Sequence, residues 1–132
     1  MNPKQFLQIG GAILLVLGIA GAVGIFSKTN TPWFWLDNGE NVAHIVLGVV
    51  ALAAAYLLKD ATAQKWLVPV VGITALFFAV YGFMVAGNTP PNTFGISNLE
   101  SPADDILHLV VGIWALAAAF LTRGQMAVAA SR

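Results

Sequence analysis

The chain has 132 residues, 58% of them hydrophobic and 9% charged, no cysteine, equal numbers of acidic and basic side chains, and a mean hydropathy of +0.81. Soluble domains carry about a quarter charged residues, so this composition belongs to a membrane protein. Lack of cysteine excludes disulfides, thiolate metal sites and cysteine nucleophiles together.

Four apolar segments lie in order at about Phe6–Phe26, Val42–Leu58, Trp66–Ala86 and Ile106–Leu121. With its flanking turns each approaches the roughly 20 residues that cross a ~30 Å hydrocarbon core as a helix. Helix is required because backbone donors and acceptors in lipid must be satisfied within the segment, and these runs lack barrel alternation. The predicted fold is an all-α membrane protein of four transmembrane helices, a single domain over residues 1–132.

The first segment follows Lys4 and passes Ala20-Gly21-Ala22, which resembles a signal cleavage site, but it stays apolar to Phe26, beyond a usual signal core. Gly11, Gly18 and Ala22, with Gly21 and Gly24 nearby, give it small residues at spacings that let helices approach closely in lipid. The connection Ser27–Asn38 carries Trp33, Phe34 and Trp35, an aromatic cluster suited to the headgroup level. Asp37 then reads as an N-cap, with Glu40 completing a capping box before the second segment.

Lys59–Lys65 reads as a turn between adjacent antiparallel helices, and the third segment carries Pro69 in its first turn, Thr74 near its middle and Tyr81 toward its end. A longer connection, Gly87–Leu99, leads to Ser101 and Asp104, which repeat the capping pattern with Pro102 at the first helical position. Beyond Arg123 the tail Gly124–Arg132 is small and is expected to be disordered.

The chain contains an internal duplication. Moving Ser101–Leu121 back by 64 residues superimposes it on Asp37–Leu57 with 9 of 21 positions identical, among them His108 on His44 and Gly112 on Gly48. Asn88-Thr89-Pro90 echoes Asn30-Thr31-Pro32, and Val70-Val71-Gly72-Ile73 echoes Val16-Leu17-Gly18-Ile19. The repeated unit is a helical hairpin, at about residues 5–58 and 66–122. Two crossings per unit make both copies face the same way about a pseudo-two-fold axis along the membrane normal. Lys4, Lys59, Lys65, Arg123 and Arg132 fall on one side with Asp60, whereas Lys28 faces Asp37, Glu40, Glu100, Asp104 and Asp105 on the other. The positive-inside rule then places both termini in the cytoplasm.

The only two histidines lie where lipid is expected, and an intramembrane ionisable residue is a functional-site hypothesis by default. Glu40, His44 and Gly48, and likewise Asp104, His108 and Gly112, follow a four-residue spacing that aligns them on one helix stripe. One reading is a structural polar cluster, in which each histidine bonds to its own-helix carboxylate or to Tyr81. A second places a metal on Glu40, His44, Asp104 and His108, or a haem- or chlorophyll-type tetrapyrrole on His44 and His108, with Gly48 and Gly112 leaving room for a flat ring. A third is proton or ion translocation through the Glu/Asp–His cluster. No catalytic elbow, phosphate loop or dinucleotide fingerprint occurs, so no enzymatic activity is expected.

At these residues the chain resembles a family of small prokaryotic four-span membrane proteins known only as a domain of unknown function. Its Asn-x-x-His-x-x-x-Gly segment matches Asn41-Val-Ala-His44-Ile-Val-Leu-Gly48, and its Asp-Asn-x-Leu-His segment matches Asp104-Asp105-Ile-Leu-His108, where Asp105 replaces the usual asparagine. The resemblance implies the four-span topology and the importance of the paired histidines, and it adds Asn41 and Asp105 to the polar cluster. The expected role is that of an accessory or scaffolding subunit without its own catalysis, in a prokaryotic cytoplasmic or internal membrane. Its expected partners are lipid and another membrane protein or further copies of itself, with no nucleic acid.

Overall fold

The structure, a computed structural model, describes the backbone of residues 1–130 and the side chains of residues 1–121. Four helices, α1 (Pro3–Ala22), α2 (Asn38–Leu57), α3 (Ala61–Val85) and α4 (Ala103–Ala130), follow one another, and each is long and apolar enough to cross a membrane. Among the described residues there is no strand, only an isolated bridge between Thr93 and Ser97. α1 pairs with α2 and α3 with α4, giving two hairpins.

Local chemistry sets most boundaries. Asn2 and Gln5 form a capping box at the start of α1, which ends earlier than its apolar run because Gly24 takes a φ of +85°. The Ile25 N–H then bonds to the Ala20 carbonyl and the Gly24 N–H to that of Gly21, a Schellman stop that closes the helix before Phe26 is reached. α2 begins at the predicted box, with Glu40 N–H donating to Asp37 Oδ1 and Asp37 N–H to Glu40 Oε2, both at 2.9 Å. Asp60 caps α3 through the Thr62 N–H at 2.7 Å, so the predicted turn 59–65 shrinks to three residues and Pro69 lies inside the helix rather than in its first turn. α4 starts at Ala103, with Pro102 in the preceding turn, and its backbone continues past Arg123 in place of the expected disorder. Arg132 lies outside the described residues, as does the side chain of Arg123.

Glycine controls how closely each hairpin packs. A Cβ on Gly48 would lie 2.8 Å from the Gly11 carbonyl oxygen, and one on Gly112 would lie 3.1 Å from that of Gly72. These matching contacts correct the predicted repeat register in the first helix of each hairpin. Gly11 corresponds to Gly72, a shift of 61, whereas α2 and α4 keep the shift of 64, because the stretch from Gly72 to Gly112 is three residues longer than that from Gly11 to Gly48. Gly72 is therefore not the counterpart of Gly18. Gly18 is buried on α2 beside Ile45, while Ala22, also expected at the interface, is exposed.

The hairpins meet in a core near the terminal end, where Phe6 and Leu7 of α1 pack with Ala55, Val68, Ala115 and Ala119. Phe6 meets Trp114 edge to face at 4.7 Å. Gln64, buried at the start of α3, donates to the carbonyls of Ala54, Ala55 and Leu58 and so satisfies the open end of α2. At the loop end Phe34 turns inward against Phe26, whereas its neighbour Trp33 is left exposed.

The longer loop is folded back on α3. Phe94 and Gly95 both take positive φ, 53° and 72°, and the Ile96 N–H bonds to the Thr93 carbonyl, giving a type I′ turn. Phe94 stacks on Tyr81 at 5.0 Å, and Tyr81 stacks on Phe77 at 5.8 Å. Asn92 fixes the other side of the loop by donating to the Leu99 carbonyl and accepting from the Leu99 N–H.

Candidate functional site

The two hairpins are joined at the loop end by a polar cluster. Asp37, already the cap of α2, also accepts from Ser97 Oγ at 3.0 and 3.1 Å and from the Asn98 N–H at 2.7 Å, both in the loop of the other hairpin. Behind this junction one carboxylate oxygen each of Glu40, Glu100 and Asp104 gathers within 4.8 Å of the others. Each acid is also tied to the chain: the Asp37 N–H donates to Glu40, the Glu100 N–H to Asp104 at 2.7 Å, and the Asn98 amide nitrogen to Glu100. Glu40, Asn98 and Asp104 are buried, and among the described residues no lysine or arginine pairs with the cluster. Lys28, the basic residue on this side, lies over the Trp35 ring instead. Burial pushes the Glu100 carboxyl up to about 8, with Asp104 and Asp37 adding to the shift and the Asn98 amide opposing it.

Both histidines sit one turn deeper and are held identically. His44 Nδ1 lies 2.8 Å from the Glu40 carbonyl oxygen, and His108 Nδ1 lies 2.8 Å from that of Asp104. A carbonyl only accepts, so Nδ1 carries the hydrogen in each ring and Nε2 is left for other partners. The rings are electrostatic neighbours of each other, and Asp104 is a neighbour of His44. His108 also rests against Phe78 at 5.8 Å. The predicted pairing of histidine with its own-helix carboxylate is therefore replaced by pairing with the main chain. The predicted Tyr81 partner is elsewhere, since its hydroxyl donates to the Asn92 carbonyl at 3.4 Å.

Asn41 and Asp105 occupy equivalent places facing the first helix of their own hairpin. A Cβ on Gly21 would overlap Asn41 Oδ1, and one on Gly82 would overlap Asp105 Oδ1, so each polar side chain fills a space that only glycine leaves. Asn41 Oδ1 and both Asp105 carboxylate oxygens have no hydrogen-bond partner, and Asp105 is 0% exposed. Gly48 and Gly112 are likewise closed off, the first by the backbone of Leu15 and Gly11, the second by Leu76 and Gly72. No flat ring can lie against them, which removes the tetrapyrrole role predicted for these two glycines. Four-residue steps advance ~40° around a helix, so the stripe turns from the midline at Glu40 and Asp104 to the intrahairpin face at the glycines.

Of the predicted metal ligands, Glu40 and Asp104 come together, and the oxygen-lined group does not include His44 or His108. In their place stands Glu100, with Asn98, Ser97 and Asp37 around it. The acidic bias of this side is visible in the sequence, but Glu100 lies in the loop before α4 and only the crossing of the two hairpins brings it to Glu40.

Four membrane-length helices in two like-facing hairpins, with a polar cluster at one end and an apolar core at the other, define a small integral membrane protein. The family model described as Domain of unknown function (DUF4383) matches residues 4–121, and the chain belongs to that family. Neither a curated protein nor a solved structure matches it.

Proposed function

We propose that this protein is an accessory or scaffolding subunit of a prokaryotic cytoplasmic or internal membrane, without catalysis of its own and with both termini cytoplasmic. The observation that carries this reading is the division of the molecule into a polar loop end and an apolar terminal half. Among the described residues, the terminal halves of the four spans, 6–17, 48–58, 66–76 and 113–121, hold no acidic, basic or histidine side chain that would continue a relay from Glu40 and Asp104. That supports a fixed assembly over a translocation path.

The long lipid-level surface supports a membrane partner or further copies of the chain. Val16, Val46, Val50, Ile73 and Val80 are more than half exposed. The distribution of Lys4, Lys59 and Lys65 against the acidic loop end supports cytoplasmic termini.

Crosslinking in native membranes, followed by purification in mild detergent, tests the proposal. A stoichiometric companion or a defined homo-oligomer is expected. Isolated monomers with no crosslinked companion overturn it, and pH-dependent ion flux in liposomes replaces it with transport.

A further inference from the structure

We propose that the turn 93–97 is a wedge that enters the interfacial layer of the leaflet at the loop end, with the side chains of Phe94 and Ile96 reaching the acyl chains.

Depth is the first argument. From Trp66 to Leu99 the chain has no charged side chain, so α3 and the whole connection after it can leave water without stranding an ion. Counted from Trp66, the roughly 20 residues that cross the hydrocarbon core end near Val85, the last residue of α3. Phe94 comes after that end in sequence, yet its ring packs back on the helix, against Tyr81 at 5.0 Å and Phe78 at 6.4 Å. Along the helix axis Tyr81 lies ~6 Å and Phe78 ~10 Å below Val85. The tip of the connection therefore returns to the depth at which apolar side chains of interfacial segments are buried, roughly 5–10 Å into the headgroup and acyl boundary.

What the turn presents is an independent observation. Phe94 and Ile96 are 62% and 78% exposed, flanking Gly95 at the tip. Phe94 holds a φ of +53°, a conformation that strains a bulky side chain and that asparagine or glycine adopts readily. In water both large side chains would be a liability, whereas acyl chains cover them and reward their area. The surface is also continuous with one that faces lipid. Phe94, Tyr81 and Phe77 form a single stack, and Phe77, Val80 and Met84, at helical spacing on α3, are all more than half exposed.

The main chain suits this placement. The Thr93 N–H donates to the Ser97 carbonyl, the N–H groups of Ile96 and Ser97 both donate to the Thr93 carbonyl, and the Thr93 hydroxyl donates to Asn92 Oδ1. The few amides left at the tip hold it to the interfacial layer, where water and lipid oxygens reach them. Ser97, which ends the turn, donates its hydroxyl to Asp37, so the wedge is tied to the junction of the two hairpins.

The test uses the full chain in lipid nanodiscs, with one cysteine introduced into a chain that has none and carrying a nitroxide spin label. Collisions with dissolved oxygen, which concentrates in lipid, are compared with collisions with a nickel chelate, which stays in water. Ile73→Cys, exposed midway along α3, is the lipid standard, and Lys59→Cys, exposed in the turn at the opposite end, is the water standard. The ratio of oxygen to nickel collisions at Ile96→Cys should exceed that at Lys59→Cys at least fivefold and approach that at Ile73→Cys. A ratio equal to that at Lys59→Cys places the turn in water and overturns the proposal. Few collisions with either reagent would mean that a second copy or another protein covers the turn, and would overturn it as well.

Discussion

Replacing Gly48 by alanine tests how the hairpins are closed. The added methyl would lie 2.6 Å from the Leu15 nitrogen, 2.8 Å from the Gly11 oxygen and 3.0 Å from the Leu15 Cα. All three are backbone atoms, which cannot rotate away as a side chain would, so α1 and α2 must move apart. Overpacking of this kind costs typically ~1–3 kcal/mol. Alanine returns at most ~1 kcal/mol through its better helix propensity. A net loss on the order of 1–2 kcal/mol follows, a factor of roughly 5–30 in the folded population. Gly10→Ala is the matched control, also within a helix, where the methyl would meet Phe6 and Trp114 at an ordinary 3.9 Å and stability should hold or rise. Both variants would be followed by tryptophan fluorescence during SDS unfolding in mixed micelles. A Gly48→Ala protein as stable as the parent, or the two variants shifting alike, would refute the close approach of α1 to α2.

Further predictions concern the polar side chains. Asp105→Asn should be neutral or stabilising in the same unfolding assay, because an amide fits the space over Gly82 as Asn41 fits that over Gly21, and it removes a buried carboxyl that has no partner. Asn92→Ala should cost about 1–3 kcal/mol by leaving the buried Leu99 N–H bare, and hydrogen exchange should speed up across residues 92–99. Glu100 is raised from 4.5 to about 8 by burial, facing Asp104, Asp37 and Glu40, so the folded chain holds this proton more tightly than the unfolded one. Its contribution is full below about 4.5 and is lost as pH rises toward 8, so the Tm should fall over that range, and Glu100→Gln should flatten the fall.

The four helices are legible in the sequence because lipid demands uninterrupted apolar length, and the caps at Asp37 and Glu40 because their chemistry is local. The end of α1 is harder to place. Its apolar residues run on to Phe26, and only the conformation of Gly24 marks the stop. The register between the first helices of the hairpins is misread through Gly72, since a short Val-x-Gly-Ile match weighs less than which glycine actually meets the partner backbone. The histidines stand out on their helix stripes, but their Nδ1 partners are main-chain carbonyls, which no side-chain pattern encodes. Glu100 and Asn98 leave no such trace, because a loop residue joins a site through tertiary contact. The stretch between Glu40 and Glu100 holds no periodicity that would connect them.

The two hairpins meet where the acids gather, and a crosslink tests that meeting most directly. A Cβ on Gly39 would lie 3.2 Å from Ser97 Cβ, close to the roughly 3.5–4.5 Å that a disulfide requires, and the chain has no cysteine of its own to interfere. Oxidising Gly39→Cys with Ser97→Cys in native membranes should give an intramolecular crosslink in nearly every chain. Thiols that stay free, or that join only separate molecules, would contradict it.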